Sequence, residues 1–171
     1  ICLWEVTAVV YAATLLAVAA ELGLVLAPAE LHAERRRGGA NDDVVLLARL
    51  CAARGREHSR AALEQRFEQH YWGRAGEGLC RRERPLVPRA LLTELSRRLP
   101  LAIVTGRPRR DAQRFLSAEG LDGLFAHVIC SEDAARKPDP APVRRALAAL
   151  AVERAWMLGD TVDDVRAARA A

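Results

Sequence analysis

Lys137 is the only lysine among the 26 lysine and arginine residues of this 171-residue chain. Arginine stands at every other basic position, so the one lysine indicates a task that a planar guanidinium group does not perform. A lysine ammonium group is a compact point charge on a flexible stem, and such a charge suits phosphate binding. We therefore predict that Lys137 binds a phosphate, although a chance survivor on a solvated loop would give the same pattern.

A hydroxyl group and a glycine follow a short apolar run upstream of this lysine. Residues 101–105 read Leu-Ala-Ile-Val-Thr and are followed by Gly106. A threonine at the end of a strand can turn its hydroxyl and the next backbone N–H groups towards a phosphate, and a glycine lets the backbone come close. The same Thr-Gly pair occurs in ordinary turns, so Thr105 and Gly106 indicate a phosphate site only together with their neighbours.

Three carboxylates lie within the segment Gly-Asp-Thr-Val-Asp-Asp at 159–164. This segment follows a predicted strand, and Mg²⁺ commonly takes one or two carboxylates together with water and substrate phosphate. Carboxylates are also favoured at the start of a helix, where they cap free N–H groups. We expect Asp160 to bind a metal ion and Asp164 to hold a metal-bound water, whereas Asp163 is better explained as a helix cap.

The second half of the chain alternates helices with short apolar strands, and these elements would position the candidate residues. Helices are predicted at 88–99, 108–119 and 140–150, and strands at 101–105, 126–130 and 155–158. This alternation predicts an α/β fold with a Rossmann-like parallel sheet and helices on both faces. Because right-handed crossovers bring the carboxyl ends of parallel strands to one edge, Thr105, Lys137 and Asp160 should converge there.

The first half of the chain predicts helices without strands. The helices cover 7–22, the stretch from Pro28 to the Gly-Gly pair at 38–39, a segment capped by Asn41, and 59–72. Glycine, proline and helix-capping residues delimit them. A loop rich in glycine and arginine follows at 73–84.

Composition and charge argue against several other classes of protein. The net charge of +4 is modest and the arginines are scattered, so no nucleic-acid partner is expected. The uncharged stretch 6–20 is shorter than the roughly 20 residues of a membrane span, and Glu5 stands where a signal peptide carries positive charge, so this stretch predicts a buried helix and no membrane association. The four cysteines form no Cys-x-x-Cys pair, which predicts reduced thiols and a cytoplasmic protein.

Three motifs together resemble those of the haloacid-dehalogenase-like hydrolase superfamily, and within it the phosphoglycolate-phosphatase-like branch with a helical cap. The motifs are Ile-Val-Thr-Gly-Arg at 103–107, Lys-Pro-Asp-Pro at 137–140 and Gly-Asp-Thr-Val-Asp-Asp at 159–164. The resemblance implies an inserted all-helical cap domain at 9–84 and an α/β hydrolase core at 85–171 that is incomplete at its C-terminus. Residues 1–8 would be a remnant of the core near the family's first motif.

The activity implied by this resemblance is that of a Mg²⁺-dependent phosphatase of a small phosphorylated metabolite. An aspartate attacks phosphorus to form an aspartyl-phosphate, which water then hydrolyses. By analogy, Thr105 and the Gly106 amide would bind phosphate oxygens, and Lys137 would offset the charge between nucleophile and phosphate. Asp160 would bind Mg²⁺ directly and Asp164 through water. Thr105, Lys137 and Asp160 would thus form the catalytic set.

Other members and other contacts of this family stay open. A phosphomutase is a close neighbour of the phosphatase, whereas the acidic segment at 159–164 argues against a haloacid dehalogenase, which works without Mg²⁺. Arg107, next to the predicted site, would touch the substrate or be solvated at the surface. In the cap, Asn41, Asp42 and Arg74 are candidates for substrate recognition, and helix capping explains the first two equally well.

The family's first motif, Asp-x-Asp-Gly, supplies the nucleophile and the general acid, and the sequence lacks it. The segment Leu-Trp-Glu at 3–5 resembles the Leu-x-Asp that follows this motif, which would place the nucleophile upstream of Ile1 in a truncated and inactive chain. Alternatively, Glu5 and Thr7 replace the two aspartates, and the protein is a non-catalytic phosphate- or partner-binding member of the same fold. We favour truncation, and we then expect the central strand of the sheet to be missing, with two buried strand edges unpaired.

Overall fold

A computed structural model describes residues 2–3, 8–37 and 42–171, with side chains from residue 10 onwards. The chain divides into two compact units. One unit consists of Thr7–Glu83, and the other joins Ile1–Val6 to Arg84–Ala171.

The described residues of the Thr7–Glu83 unit form helices. These are α1 (Ala8–Glu21), α2 (Pro28–Arg37), α3 (Asp43–Ala52) and α4 (Arg60–Trp72), followed by 3₁₀ turns at Arg74–Gly76 and Leu79–Arg82. The apolar stretch predicted as a buried helix is α1, in which Leu15 and Val18 are fully buried. No helix within 8–37 and 42–171 has the length and apolar character that crossing a membrane requires.

Two helices of this unit begin at side-chain caps. The Asp42 carboxylate accepts a hydrogen bond from the N–H of Val44 at 3.0 Å, and the Ser59 hydroxyl accepts one from the N–H of Ala62 at 3.3 Å. These bonds satisfy N–H groups that have no partner within the helix. The sequence pattern predicted Asn41 as the first of these caps. Asn41 lies outside the described residues, and Asp42 is the cap.

The core of this unit is made by leucines and aromatic rings from α1, α3 and α4. Leu46, Leu47 and Leu63 are fully buried, and each buried leucine contributes roughly 1.5–3 kcal/mol relative to an exposed one. The Tyr71 hydroxyl donates a hydrogen bond at 3.1 Å to Glu83, a carboxylate that is also buried. Burying such a polar group is tolerated when it is hydrogen-bonded.

The second unit is a parallel sheet flanked by helices, which confirms the predicted α/β class with a Rossmann-like sheet. Its strands are β1 (Cys2–Leu3), β2 (Ala102–Val104), β3 (His127–Ile129) and β4 (Met157–Leu158), and its helices are α5 (Arg89–Arg98), α6 (Arg109–Ala118), α7 (Ala141–Ala149) and α8 (Val162–Ala170). The strand order is β3-β2-β1-β4, and every pairing is parallel. All four strands therefore end at the same edge of the sheet.

Strand β1 occupies the central position of the sheet. Its register pairs Cys2 with Ala102 of β2 and with Met157 of β4, and it pairs Leu3 with Leu158. The expected loss of this strand, with both neighbouring edges unpaired, is therefore wrong. A two-residue strand is too short to show a periodicity in the sequence.

The two faces of β2 pack against different helices. Leu101 and Ile103 belong to a cluster with apolar residues of α5 and α6, whereas Ala102 and Val104 belong to a cluster with Ala146 of α7. This alternation follows from the pleat, because successive side chains of a strand point to opposite faces. Cover on both faces fixes the carboxyl end of β2, where Thr105 follows.

The outer strand β4 is less buried than parallel strands usually are. Its neighbour Trp156 is 82% exposed and Leu158 is 53% exposed. A cavity of 710 Å³ lies along this strand and is lined by residues of β2, α7 and α8. The sequence predicted a strand at 155–158, and the structure has Met157–Leu158 of this stretch in strand conformation.

Candidate active site

The Lys137 ammonium group lies between the end of β2 and the start of α8. Its Nζ donates to the carbonyl oxygen of Val104 at 3.4 Å and to the Asp164 carboxylate. The Lys137 side chain is 13% exposed, and that of Asp164 is 6% exposed. The structure thus brings together Lys137, the residue before Thr105 and the last residue of the acidic segment.

The carboxylate of Asp164 is engaged on both oxygens. Oδ1 accepts from Lys137, while Oδ2 accepts from the Thr161 N–H at 3.0 Å and from the Thr161 hydroxyl at 2.6 Å. In return, the Asp164 N–H donates to the Thr161 hydroxyl at 3.2 Å, which completes a capping box at the start of α8. Burial raises the pKa of Asp164, but the charge of Lys137 and the hydrogen bonds from Lys137 and Thr161 outweigh it and hold the pKa below its ordinary value.

Gly159 makes room for this carboxylate. A Cβ atom at Gly159 would lie 2.6 Å from Cβ and Cγ of Asp164 and 2.7 Å from its Oδ2. Contacts this short do not occur between real side chains, so a larger residue at 159 would displace Asp164. The glycine between β4 and α8 therefore allows the helix to begin directly against the end of the strand.

The predicted metal ligands differ in how open they are. Asp160 is exposed in the turn after β4, whereas Asp164 is buried in its contacts with Lys137 and Thr161. Among the residues that the structure describes, no group of three or more His, Cys, Asp or Glu side chains could hold a metal ion. Two carboxylates are nevertheless hard oxygen donors of the kind and number that Mg²⁺ uses beside a phosphate, so the residues fit this ion in chemistry.

Asp163 lies in the first turn of α8, as we expected of a capping residue. It is 2% exposed, and its Oδ1 lies 3.6 Å from Nη1 of Arg166 one turn further along the helix. The cap itself, however, is the neighbouring pair Thr161 and Asp164. The Thr-x-x-Asp spacing was the sequence signal for this pair.

Thr105 extends the ladder between β2 and β3 and begins a turn. Its N–H donates to the carbonyl oxygen of Ile129 at 2.9 Å, and its hydroxyl oxygen accepts from the Arg107 N–H at 3.2 Å. A hydroxyl can donate one hydrogen bond in addition to those it accepts, so this turn is compatible with a phosphate oxygen as ligand. Thr105 and Gly106 are both partly exposed.

Arg107 is buried, so the alternative of a solvated surface side chain is wrong. It is 6% exposed and lines a small cavity with Ile103, Ala112 and Phe115 on the α6 side of β2. This position gives no support to a substrate contact, which stays a prediction. The Arg107 carbonyl accepts from the Ser131 N–H at 2.9 Å and so links the loops after β2 and β3.

The loop after β3 contains two carboxylates that the sequence reasoning missed. Glu132 accepts two hydrogen bonds from the Arg109 N–H, at 2.9 and 3.1 Å, at the start of α6. Asp133 accepts from the Cys130 N–H at 2.7 Å and pairs with the Arg109 guanidinium. The start of α6 is therefore occupied by carboxylates of the chain itself, and the adjacent Ser-Glu-Asp after a strand was the available signal.

Two of the three residues predicted as substrate-recognition candidates in the expected cap domain lie among the described residues. Asp42 caps α3 and its Oδ2 accepts from Arg60 at 2.7 Å. Arg74 is exposed in a 3₁₀ turn. Asn41, like Glu5 and Thr7, lies outside the described residues, so these three candidates stay predictions.

The described cysteine side chains are free thiols. Cys51, Cys80 and Cys130 are buried and form no disulfide. Burial raises the pKa of Cys130 to about 11, although the charge of Arg109 opposes this effect. These three residues have the reduced state that the sequence predicted.

A Rossmann-like core with a lysine and an acidic turn at the carboxyl edge of its sheet is the arrangement of a class of hydrolases. The sequence profile of the haloacid dehalogenase-like hydrolases matches residues 3–171. The chain belongs to this family.

Two named relatives are similar to most of this chain. An imidazoleglycerol-phosphate dehydratase from Phytophthora nicotianae is 39% identical over 170 residues, which are 94% of this chain and 38% of that protein. A phosphoglycolate phosphatase from Cereibacter sphaeroides is 34% identical over 131 residues, which are 74% of this chain and 59% of that protein. The chain thus spans between 38% and 59% of the length of these two relatives.

A solved structure shows the same fold. The crystal structure of a predicted phosphoglycolate phosphatase from Haemophilus somnus matches with a TM-score of 0.73 at 22% identity, over 94% of this chain and 73% of that chain. At this identity the likeness concerns the fold alone. It agrees with the α/β class.

Proposed function

We propose that the protein to which this chain belongs is a Mg²⁺-dependent phosphatase of a small phosphorylated metabolite, with the Thr7–Glu83 unit as its cap domain. The observation that carries the proposal is the placement of Lys137, whose ammonium contacts the carbonyl of Val104 and the Asp164 carboxylate. A partly buried cation at the carboxyl edge of a parallel sheet lies where such folds bind their ligands. Family membership supports the same reaction class.

The side chains at this edge would divide the binding of a phosphate between them. The Thr105 hydroxyl and the Gly106 amide would bind phosphoryl oxygens, and Lys137 would neutralise their charge while Asp164 holds its position. Asp160 would hold Mg²⁺ directly and Asp164 would hold it through water. When bound, the ion would supply further positive charge against the transferred phosphoryl group.

The proposed reaction proceeds through an aspartyl-phosphate. A carboxylate oxygen bonds to phosphorus while the bond from phosphorus to the ester oxygen breaks, and the leaving alcohol takes up a proton. Water then cleaves the acyl phosphate, which releases inorganic phosphate and restores the carboxylate. The Asp-x-Asp-Gly motif that supplies this carboxylate is not in the sequence, so we assign the nucleophile to a part of the whole protein outside these residues.

The absence of that motif, together with the central position of β1, also favours a second candidate function. Strand β1 pairs with β2, the strand that precedes Thr105, and Lys137 contacts the end of β2. A protein with this edge but without a nucleophile would bind a phosphorylated ligand and not turn it over. Phosphate binding without catalysis is therefore the alternative.

A phosphate-release assay separates the two functions. We would compare the 171-residue chain with the protein encoded by the full reading frame, each with Mg²⁺ and with p-nitrophenyl phosphate, phosphoglycolate and imidazoleglycerol phosphate as substrates. The proposal expects phosphate release by the longer protein, its loss in Asp160→Asn, and retention in Arg36→Gln, a variant at an exposed residue of α2. A folded longer protein that binds inorganic phosphate by calorimetry but releases none from any substrate would establish the binding function instead.

A further inference from the structure

We propose that Gly159 and Thr161 are positioning residues, which fix the Asp164 carboxylate so that it holds the Lys137 ammonium at the end of β2. Neither residue would touch substrate, and both would act through Asp164. The catalytic consequence of this arrangement rests on the proposed function. The positioning itself is a property of the described residues and does not depend on turnover.

Thr161 sets the orientation of the Asp164 carboxylate. Thr161 donates to Oδ2 of Asp164 from both its N–H and its hydroxyl, at 3.0 and 2.6 Å. Two donors on one oxygen, with the Asp164 N–H bound back to the Thr161 hydroxyl at 3.2 Å, set the plane of the carboxylate relative to α8. Its other oxygen, Oδ1, is thereby directed to Lys137.

Gly159 leaves the space that the Asp164 carboxylate occupies. A Cβ at Gly159 would approach three atoms of the Asp164 side chain within 2.7 Å. The carboxylate therefore packs against the backbone at the end of β4 and cannot move further towards it. Thr161 and Gly159 together limit the carboxylate from two directions.

The position of the Lys137 ammonium group depends on its fixed partners. A lysine side chain loses considerable conformational freedom when it is held in one place, so ordering it requires fixed partners. Lys137 has Asp164 on one side and the Val104 carbonyl at 3.4 Å on the other. A carboxylate that turned freely would remove one of the fixed partners of the ammonium group next to Thr105.

The single lysine of the chain makes this arrangement observable. In protein labelled with ¹³C at the lysine Cε carbon, a proton–carbon NMR spectrum reports on Lys137 alone, because no other lysine is present. The Cε carbon carries two Hε protons. They have two resolved shifts when the end of the side chain is fixed, and a single averaged shift when it rotates freely. We expect two in the wild-type chain, one in Thr161→Val, and two again in Thr161→Ser, which keeps the hydroxyl.

A matched variant separates positioning from general loss of stability. Ser59→Ala removes a hydroxyl cap of the same kind from α4 in the other unit, where Ser59 accepts from the Ala62 N–H at 3.3 Å. It should leave the Lys137 signal unchanged. Averaged Hε shifts in both Thr161→Val and Ser59→Ala, or resolved shifts in both, would overturn the proposal.

A second pair of variants tests the space at Gly159 and covers the case in which Thr161→Val does not fold. Gly159→Ala should average the two Hε shifts, whereas Gly123→Ala should not. Gly123 lies in the same unit at φ +77° with nothing within 4 Å, so its substitution strains the backbone without touching Asp164. Resolved shifts in a folded Gly159→Ala variant would contradict the role of Gly159.

Measured activity gives an independent check, because the proposed function can be wrong while the positioning of Lys137 is right. If the full-reading-frame protein is a phosphatase, Thr161→Val should lower kcat about 10-fold or more with little change in KM, and Thr161→Ser should restore it. An inactive protein with the expected NMR pattern would refute the proposed function and leave the positioning intact. Normal kcat in Thr161→Val would refute its importance for catalysis.

Discussion

Lys137 and Asp164 depend on each other because both charges are largely withdrawn from water. Their side chains are 13% and 6% exposed. Removing one partner of such a pair leaves the other charge buried without compensation, which typically costs about 3–5 kcal/mol. We therefore expect Lys137→Met to lower the free energy of unfolding in urea by about 3 kcal/mol.

The double variant Lys137→Met/Asp164→Asn is the control for this prediction. It removes both charges and leaves an amide that can still bond to Thr161, so most of the lost stability should return while activity should not. Equal stability losses in the single and double variants would show that the ion pair is not the cause.

The Cys130 thiol should be unreactive in the folded protein at ordinary pH. Burial raises its pKa to about 11 from the ordinary value of 9.0. At pH 8 the thiolate fraction, and with it the rate of alkylation by iodoacetamide, should be about 100-fold lower than in the unfolded chain. Peptide mass spectrometry after timed alkylation measures this rate, and similar rates in both states would contradict the prediction.

The same shift has a consequence for stability. A thiol whose pKa is raised by folding stabilises the protein below its unfolded pKa, near 9.0, and this contribution disappears as the pH rises through about 11. Between pH 9.0 and about 11, the free energy of unfolding of Cys130→Ala should therefore fall less than that of the wild-type chain.

The sequence singled out candidate site residues but not their contacts. Lys137 and the acidic segment stood out by residue type and spacing, which local sequence retains. The contact of Lys137 with Asp164 and the burial of Arg107 depend on how β2, α6 and α8 pack, and no short pattern encodes that. Gly159 gave no signal by itself, since its role is the space it leaves for a residue in the next helix.

At the level of elements, caps and glycines explain why helix positions were predictable. The helix predicted at 59–72 is α4, Arg60–Trp72, with Ser59 as its cap. Strand β1 was missed because Cys2–Leu3 forms only through pairing with β2 and β4, which are distant in sequence. Local sequence patterns locate helices and strands whose ends are set by capping residues or glycines. They miss elements that form only by pairing with distant strands.

The cap of α3 can be tested in the same way. Asp42→Ala should lower the free energy of unfolding by about 1 kcal/mol, because the Val44 N–H at 3.0 Å loses its acceptor. Asp42→Asn keeps an acceptor and should cost much less, since the ion pair that it removes has Arg60 as its partner, and the side chain of Arg60 is 52% exposed to water. Urea unfolding followed by circular dichroism measures both. Equal losses would indicate that the ion pair matters more than the cap.

The molecule as a whole combines two separate apolar cores in two units. The division into an early helical segment and a later α/β segment was expected from the family resemblance, and its interpretation as cap and core stays a prediction. The exposure of β4 and its neighbours was not predictable, because it depends on what lies next to the strand in space.

The rim formed by Trp156 and Leu158 beside β4 has a consequence for how the protein behaves as a solute. These side chains are 82% and 53% exposed at an outer strand, where unpaired backbone groups and apolar surface invite contact between molecules. We expect the sedimentation coefficient to rise with protein concentration, and Trp156→Glu to suppress this rise. Val25→Glu, at a 92% exposed residue outside any strand, should leave it unchanged. The colloidal stability of a stock solution would then depend strongly on the Trp156 indole ring.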